Sequence, residues 1–265
     1  MKLVWLTDLH LNFVGRAEVY ELCKTILTAE TDAVLITGDI ASAQHLCKYL
    51  DYLADEIRKP IYFVLGNHDY YGSSIEKVNS EVAKASDSHM YLYWLSRRDR
   101  PVHLTDDTCL IGHEGLSDGR MGDPVGSDVE LNDYRLIKEL VQPTKQERLR
   151  VQNHLGDLAE EHLRDQVTMA VEQYKLIIVA LHVPPFAEAA WHLGQNTDDN
   201  YLPHFSCKAT GDVLKATMLA HPEVSMTVYC GHTHSGGHVQ ILPNLEVITA
   251  GAEYYKPRIA GNIEI

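Results

Sequence analysis

The side chains best suited to metal chemistry in this 265-residue sequence cluster directly after predicted strands. Five apolar runs, rich in branched residues, are each followed by Asp, Asn or His. The residues concerned are Asp8, His10, Asp39, Asn67, His68, His182, His232 and His234. Because open α/β sheets place ligand sites at the carboxyl ends of their strands, we expect these side chains to meet at one edge. Burying so many polar groups is costly unless each finds a partner, and a pair of metal ions supplies such partners.

The ligand types narrow the choice of metal. Carboxylate, carboxamide and imidazole groups without a thiolate suit Mn, Fe or Zn, and Mg more weakly. Two ions need a shared ligand, and a carboxylate bridges them with its two oxygen atoms. Two ions about 3.5–4 Å apart stabilise an in-line displacement and generate hydroxide at neutral pH. The sequence therefore predicts two divalent or trivalent metal ions as cofactors.

Each of these residues also has an ordinary explanation when it is considered alone. A single His after a strand is more often a hydrogen-bonded loop residue than a ligand, and Asp39 after Gly38 could simply turn the chain. The pair His232 and His234 is a weak motif by itself, since alternate residues of an extended segment share a side only locally. The joint occurrence after five strands favours a metal centre over these separate interpretations.

The elements that must position these residues alternate between strand and helix. Apolar runs predict buried strands at 2–7, 33–37, 61–65, 176–181 and 225–230. Apolar residues at helical spacing predict one helix over 16–29 and another after Ser42, which can cap it. The β-α-β-α-β order predicts a parallel sheet with right-handed crossovers.

The rest of the chain carries weaker patterns. Helical stretches are predicted at 73–95, 128–141, 144–174 and 210–219, and a β-hairpin at 101–112. Thr144 and Glu147 have the spacing of a capping box at the start of the longest helix. Residues 237–265 alternate short apolar runs with Pro and Gly, which predicts an antiparallel meander.

Taken together, the motifs resemble those of the calcineurin-like metallophosphoesterases. They are D-x-H at Asp8–His10, G-D at Gly38–Asp39, G-N-H-D at Gly66–Asp69, a lone His182 and G-H-x-H at Gly231–His234. All occur in the family's order, each after a predicted strand, across residues 3–234. The resemblance implies an α/β fold, a two-sheet β sandwich flanked by helices in four α/β/β/α layers. Since the sequence shows no internal repeat, low-complexity segment or linker, we expect a single metallophosphoesterase domain over residues 1–265.

The resemblance further implies a role for each matching residue. One ion would be held by Asp8, His10 and His234, the other by Asn67, His182 and His232, and both would be bridged by Asp39. A hydroxide bridging the ions would attack phosphorus in line, while His68 would face the substrate and assist the leaving oxygen. Asp69 would orient a neighbouring residue.

Two segments outside the motifs, 115–174 and 186–207, are natural places for a helical or loop cap that selects the substrate. Candidate contacts there and nearby are His113, Trp191, His192 and His204. For each of these residues individually, an ordinary core or surface role is the favoured interpretation.

One departure from the family pattern bears on the substrate. Ser/Thr protein phosphatases of this superfamily continue the second motif as G-D-x-V-D-R-G, whereas this chain reads G-D-I-A-S-A-Q over residues 38–44. The Arg that would help to grip phosphate is missing, which argues against a protein phosphatase. The sequence is more similar to bacterial-type small phosphoesterases, so we expect a phosphomonoesterase or phosphodiesterase.

The charge balance bears on the partner. Acidic residues outnumber basic ones by 37 to 23, which gives a formal charge of −14. This argues against tight binding of long duplex nucleic acid, and against the basic, aromatic groove of a nuclease. A nuclease and a non-catalytic interaction module on the same fold stay as alternatives, although the motif residues that a degenerate relative would lose are retained. We expect an enzyme acting on a small phosphorylated substrate.

The cysteines and apolar segments bear on localisation. Five cysteines, an odd number with no C-x-x-C pair, predict free thiols in a reducing compartment. No apolar stretch reaches membrane-spanning length, and the first residues enter a strand pattern without a secretory signal. We therefore expect a cytoplasmic protein without a membrane partner.

Overall fold

The computed structural model describes all residues from 1 to 265. The strands are β1 (Lys2–Leu6), β2 (Ala33–Thr37), β3 (Ile61–Val64), β4 (Leu92–Trp94), β5 (Val102–Thr105), β6 (Thr108–His113), β7 (Leu176–Leu181), β8 (Trp191–His192), β9 (Gln195–Asn196), β10 (Ser225–Cys230), β11 (Gly237–Leu242), β12 (Leu245–Thr249) and β13 (Gly261–Glu264). The helices are α1 (Arg16–Thr28), α2 (Ala43–Ile57), α3 (Ile75–Ser88), α4 (Asp133–Leu136), α5 (Lys145–Val171), α6 (Leu202–Phe205) and α7 (Lys208–Ala220). No helix combines the length and the apolar character that crossing a bilayer requires.

The strands form two main sheets. The first sheet has the order β13-β1-β2-β3-β4 and the second the order β11-β12-β10-β7-β6-β5, while β8 and β9 pair as a separate ribbon. Neighbours from β1 to β4 run parallel, as do β6, β7, β10 and β12, so antiparallel pairing is confined to the edges. The predicted parallel sheet is therefore present, and the carboxyl ends of its central strands lie at one edge.

The alternating direction of side chains along the strands explains how the sheets and helices form layers. In β1, Leu3 and Trp5 face the core between the two sheets, whereas Val4 and Leu6 face the layer of α1, α2 and α3. In β7, Ile178 joins the core between the sheets, and its neighbours pack against α5 and α7. Because successive strand residues point to opposite faces, a fully apolar strand is covered on both sides. The α/β/β/α sandwich is thereby confirmed.

The long helix α5 lies in the outer layer over the second sheet. Its buried residues Leu163, Val167 and Ala170 belong to the same core cluster as strands β6, β7 and β10. Thr144 caps this helix, because its Oγ1 accepts from the Glu147 backbone N–H. The Glu147 carboxylate accepts from the Thr144 hydroxyl and not from the Thr144 backbone N–H, so the predicted capping box is only half formed. A substrate-selecting cap over 115–174 and 186–207 stays a prediction.

Two predicted helical stretches are wrong in their extent. The stretch 73–95 holds α3 but then the strand β4, because Leu92–Trp94 pairs in parallel with β3. The stretch 128–141 contains only the single turn α4 and a short 3-10 turn at Lys138–Leu140. Between them Ile137 is extended and bridges to Ser73, so tertiary pairing overrides the helical periodicity.

The predicted meander over 237–265 is wrong in its last strand. Strands β11 and β12 form an antiparallel pair at the edge of the second sheet, as expected. Strand β13 instead crosses to the first sheet and pairs antiparallel with β1, with Ile263 opposite Leu3. Ile263 is buried in the core between the sheets, and that burial stabilises the crossing.

Candidate metal centre

The loops that follow the central strands adopt an unusual backbone conformation. Five of the nine non-glycine residues with positive φ are Asp8, His10, Asp39, His232 and His234. This left-handed region costs most residues about 1–3 kcal/mol, and it persists where the surrounding structure enforces it. Asp, Asn and His tolerate it best, so the residue types at these strand ends suit both the turn and the site.

The first group of predicted ligands consists of Asp8, His10 and His234, with the predicted bridging residue Asp39 beside them. One ligand atom from each lies within 4.8 Å of all the others. The Nε2 atoms of His10 and His234 face each other at 3.1 Å, and His234 Nε2 lies 3.4 Å from Asp8 Oδ1. Burial lowers the pKa of His10 to about 3, so the ring is neutral and can offer a lone pair. Its buried Nδ1 has no hydrogen-bond partner.

The second group consists of Asn67, His182 and His232. Asn67 Oδ1 lies 3.0 Å from His182 Nε2 and 3.0 Å from His232 Nδ1. Each ring uses its other nitrogen on a backbone carbonyl, His182 Nδ1 on Thr37 at 2.9 Å and His232 Nε2 on His204 at 2.9 Å. A carbonyl only accepts, so the single N–H of each neutral ring points away from Asn67.

The second group therefore brings lone pairs together without a proton between them. Burial lowers the pKa of His182 below its usual range and that of His232 to about 4, so both rings are neutral at neutral pH. Three acceptor atoms, Asn67 Oδ1 and the two imidazole nitrogens, then converge on one point. Such an arrangement is unfavourable unless a cation lies between them, so these residues fit a metal ion.

Asp39 lies between the two groups. Its Oδ2 is 3.7 Å from His10 Nε2, and its Oδ1 is 3.4 Å from His182 Nε2. Burial, reinforced by the nearby Asp8 carboxylate, raises the pKa of Asp39 well above its usual range. A buried carboxylate whose charge is disfavoured in the bare protein is the group that a pair of cations would stabilise.

His68 begins the short 3-10 turn His68–Tyr70 beside Asp39. Its backbone N–H donates to Asp39 Oδ1 at 2.8 Å, and its Nε2 lies 3.9 Å from Asp39 Oδ2. The imidazole stacks on Tyr71, with ring centroids 4.1 Å apart, and its Nε2 lies 3.5 Å from the Tyr254 hydroxyl. Burial lowers the pKa of His68 to about 2, so the ring is neutral.

Asp69 joins two of the loops that carry the ligands. Its carboxylate accepts from the backbone N–H groups of Ile40, Ala41 and Gly66 at 2.9, 2.8 and 2.8 Å. These bonds fix the loop after β2 against the loop after β3. A side chain at Gly66 would collide with Asp39 and His182, so this loop needs glycine at that position.

The site opens into a pocket of about 220 Å³ with thirteen lining residues. Seven of these lie outside the sequence motifs, and four of the seven, Tyr71, Asp133, Phe205 and Tyr254, bear on the geometry of the site. No Lys or Arg is among the lining residues. The Tyr254 ring lies 4.6 Å from the His10 ring and 4.8 Å from the His234 ring, centroid to centroid, which places it over the first ligand group. None of the four belongs to a recurrent spacing, so the sequence carried no signal for them.

The four candidate contacts outside the motifs have different locations. His192 lines the pocket, whereas Trp191 next to it does not. The buried His204 bonds Ser127 and Tyr134 through its ring, and its backbone carbonyl accepts from His232. His113 lies outside the pocket, beside Glu114 and His162.

Comparisons with known proteins indicate which family the chain resembles. The family model described as calcineurin-like phosphoesterase matches residues 1–236. A transmembrane protein with metallophosphoesterase domain from Danio rerio is 29% identical over 142 residues, which are 49% of this chain and 31% of the relative. The chain thus matches about a third of that relative's length.

Solved structures share the fold at low identity. A phosphopantetheinyl hydrolase from Mycobacterium tuberculosis superposes with a TM-score of 0.63 and 15% identity, over 97% of this chain and 95% of the other. A dimetal phosphatase from Danio rerio gives a TM-score of 0.59 and 13% identity, over 95% of this chain and 87% of the other. At such identities the likeness establishes the fold alone.

Proposed function

The chain belongs to the calcineurin-like phosphoesterase family, and we propose that it hydrolyses small phosphoesters at a centre built for two metal ions. The observation that carries this proposal is the convergence of acceptor atoms in two adjacent groups, with Asp39 between them. Family membership makes the chain a metallophosphoesterase, that is, a hydrolase of phosphoester bonds.

We assign the ligands by their proximity. The residues Asp8, His10 and His234 would hold one ion, the residues Asn67, His182 and His232 would hold the other, and Asp39 would contact both. When bound, two such ions polarise a phosphoryl oxygen and lower the pKa of a water molecule towards neutrality. Oxygen and nitrogen ligands without a thiolate favour Mn, Fe or Zn, with Mg as a weaker candidate.

We assign the leaving-group role to His68. Its ring lies in the pocket wall, and its backbone N–H is fixed on Asp39. A neutral imidazole carries one N–H, which can donate a hydrogen bond to the departing oxygen and stabilise the charge that develops there. Stacking on Tyr71 holds the plane of the ring while this bond forms.

The pocket supports a small substrate. Its volume of about 220 Å³ suits a phosphoryl group with a compact substituent. Since no Lys or Arg lines it, metal ions would be the only cations that offset the phosphoryl charge. A second phosphate on the substituent would meet Asp133 and aromatic rings instead, so we propose a monoester or diester whose remaining part carries no further anion. Long duplex nucleic acid does not suit a chain of charge −14.

The five cysteines are all free, and four of them are buried. Free thiols without a disulfide framework fit a reducing compartment, so we propose a cytoplasmic location.

The experiment that tests the proposed function is a panel of phosphomonoesters and phosphodiesters assayed on metal-stripped protein. The protein is reconstituted separately with Mn, Fe, Zn and Mg, and a nucleoside triphosphate and duplex DNA are included as disfavoured substrates. We expect turnover of at least one singly phosphorylated small ester that depends on added metal and is lost in Asp39→Asn. Absence of turnover with every metal and ester would overturn the proposed function.

A further inference from the structure

A buried carboxylate outside the motifs contacts the second ligand group. Asp133, at the start of α4, is 6% exposed and lines the pocket. Its Oδ1 accepts from Asn67 Nδ2 at 2.8 Å and from the Tyr71 hydroxyl at 2.5 Å. Asp133 forms no ion pair with Lys, Arg or His. Burying a carboxylate without a cationic side chain is costly, so its presence calls for an explanation in the site.

The first bond fixes the orientation of the Asn67 amide. A carboxylate only accepts, so the NH₂ group of Asn67 must face Asp133. The amide oxygen then faces His182 Nε2 and His232 Nδ1, each at 3.0 Å. Rotation of the amide by half a turn would present NH₂ to those nitrogens, and an NH₂ group is no metal ligand. Asp133 therefore decides which atom of Asn67 reaches the second group.

The second bond fixes the ring on which His68 rests. The Tyr71 hydroxyl donates to Asp133, and it accepts from Asn67 Nδ2 at 3.2 Å. The Tyr71 ring stacks on the His68 ring at 28°. Both χ angles of Tyr71 are thus constrained, one end by Asp133 and one face by His68. A displacement of Asp133 would reach His68 through this ring.

We propose that Asp133 is a positioning residue that sets the metal-binding orientation of Asn67 and, through Tyr71, the orientation of His68. This proposal rests on the proposed function. The segment between β6 and α5 would thereby help to assemble the site, because Asp133 Oδ1 accepts hydrogen bonds from both Asn67 and Tyr71.

The test compares three variants with wild type. Asp133→Ala removes the acceptor, Asp133→Asn keeps a side-chain oxygen in the same place, and Tyr71→Phe keeps the ring but removes its hydroxyl. Arg135→Ala is the matched control, since Arg135 is exposed on the same short helix. Mn²⁺ is titrated calorimetrically into metal-stripped protein, and kcat is measured on an aryl and an alkyl phosphoester. Thermal melts by circular dichroism accompany each variant.

We expect Asp133→Ala to weaken one of the two Mn²⁺ sites by roughly 10–100-fold, the usual effect of losing a partner of a ligand. Asp133→Asn should recover most of that loss, and Arg135→Ala should match wild type. Tyr71→Phe should bind both ions as wild type does but lose more kcat on the alkyl ester than on the aryl ester, because only the poor leaving group needs a well-placed His68.

Several results would overturn the proposal. Wild-type affinity at both Mn²⁺ sites in Asp133→Ala would do so. If Asp133→Asn weakened Mn²⁺ binding as much as Asp133→Ala, the cause would be the lost charge and not the lost hydrogen-bond acceptor, and the proposal would fail. If Asp133→Ala does not fold, Tyr71→Phe decides, and an equal loss on both esters contradicts the positioning of His68. If wild type hydrolyses no ester, the proposed function fails, but the Mn²⁺ titrations still test whether Asp133 orients Asn67.

Discussion

The substitution Asp39→Asn separates the charge of the central carboxylate from its shape. Asp39 has a φ of 54°, in the left-handed region, where Asn is tolerated and Ala costs about 1–2 kcal/mol. The amide oxygen of Asn can also accept from the His68 N–H in place of Asp39 Oδ1, which lies at 2.8 Å. Asp39→Asn should therefore keep the loop, whereas Asp39→Ala mixes backbone strain with the loss of the ligand.

The expected magnitude follows from the distances. The oxygens of Asp39 lie 3.7 and 3.4 Å from one imidazole nitrogen of each group, so the carboxylate can contact both ions. Two unit charges 4 Å apart attract by about 4 kcal/mol at an effective dielectric constant of 20. Each ion carries at least two unit charges, and about 1.4 kcal/mol is tenfold in affinity, so losing the carboxylate charge should weaken the binding of each ion by at least about a thousandfold. Turnover should vanish at metal concentrations that saturate wild type.

In the absence of metal, Asp39→Asn should not lower the melting temperature of the protein. Burial and the neighbouring Asp8 disfavour the charge on Asp39 and raise its pKa. Removing that charge relieves the repulsion, so metal-free Asp39→Asn should melt no lower than metal-free wild type. Asp118→Asn is the matched control, because Asp118 is also fully buried but bonds Ala209 and Arg120 away from the pocket.

The assay combines elemental analysis, calorimetric titration and turnover of an aryl phosphate. Two ions per chain in Asp39→Asn, bound with wild-type affinity and near wild-type turnover, would refute the reasoning. Loss of one ion alone would also refute it, because Asp39 would then serve a single site. An unfolded variant would point to a structural role, which the melting curves detect independently of metal.

Three further predictions concern the single-ion ligands, His68 and the cysteine thiols. Asn67→Ala and His182→Ala should each weaken one ion more than the other and recover partial turnover in excess metal; equal loss of both without recovery would contradict the grouping of the ligands. His68→Ala should keep both ions but lose roughly 10²–10⁴-fold in rate on an alkyl ester, and far less on an aryl ester whose phenolate leaves unaided; a loss of bound metal in elemental analysis would instead make it a ligand. Burial raises the pKa of all five thiols, to about 11 or 12 in the four that are buried, and only Cys47 is partly exposed. In native protein at pH 8 a disulfide reagent should therefore react with Cys47 alone, and in denaturant with all five thiols; rapid native reaction of a buried thiol would contradict this.

The strand ends were predictable because sequence and physics agree there. Runs such as Ile61–Val64 are buried on both faces, which makes them apolar throughout and easy to recognise. The polar residues that follow, such as Asn67, have no place in an apolar core unless they serve the site. Since parallel strands of one sheet end at one edge, the residues after β1, β2 and β3 could be predicted to meet. The histidines after β7 and β10 belong to the second sheet, so their arrival at the same site was implied only by the family resemblance.

The pocket walls were not predictable in the same way. Phe205 lies in the single-turn helix α6, and Tyr254 follows β12 in a segment without regular structure. Both reach the site through tertiary packing. Contacts of this kind cannot be predicted from the spacing of hydrophobic residues or from the order of the motifs. Tyr71 is the second residue after the G-N-H-D motif, next to Tyr70. Only the structure shows that Tyr71 lines the pocket whereas Tyr70 is buried.

The failed helix over 128–141 and the position of Asp133 have one cause. The Gly72 N–H donates to the Leu136 carbonyl at 2.9 Å, and the Lys138 N–H donates to the Ser73 carbonyl at 3.0 Å. These bonds flank Ile137 and hold it extended against Ser73 at the end of the site loop, so a helix cannot continue through it. The same attachment brings the preceding turn, and Asp133 with it, onto Asn67 and Tyr71. The helical propensity of residues 128–141 is therefore overridden by tertiary hydrogen bonds, and the same bonds place the Asp133 carboxylate at the site.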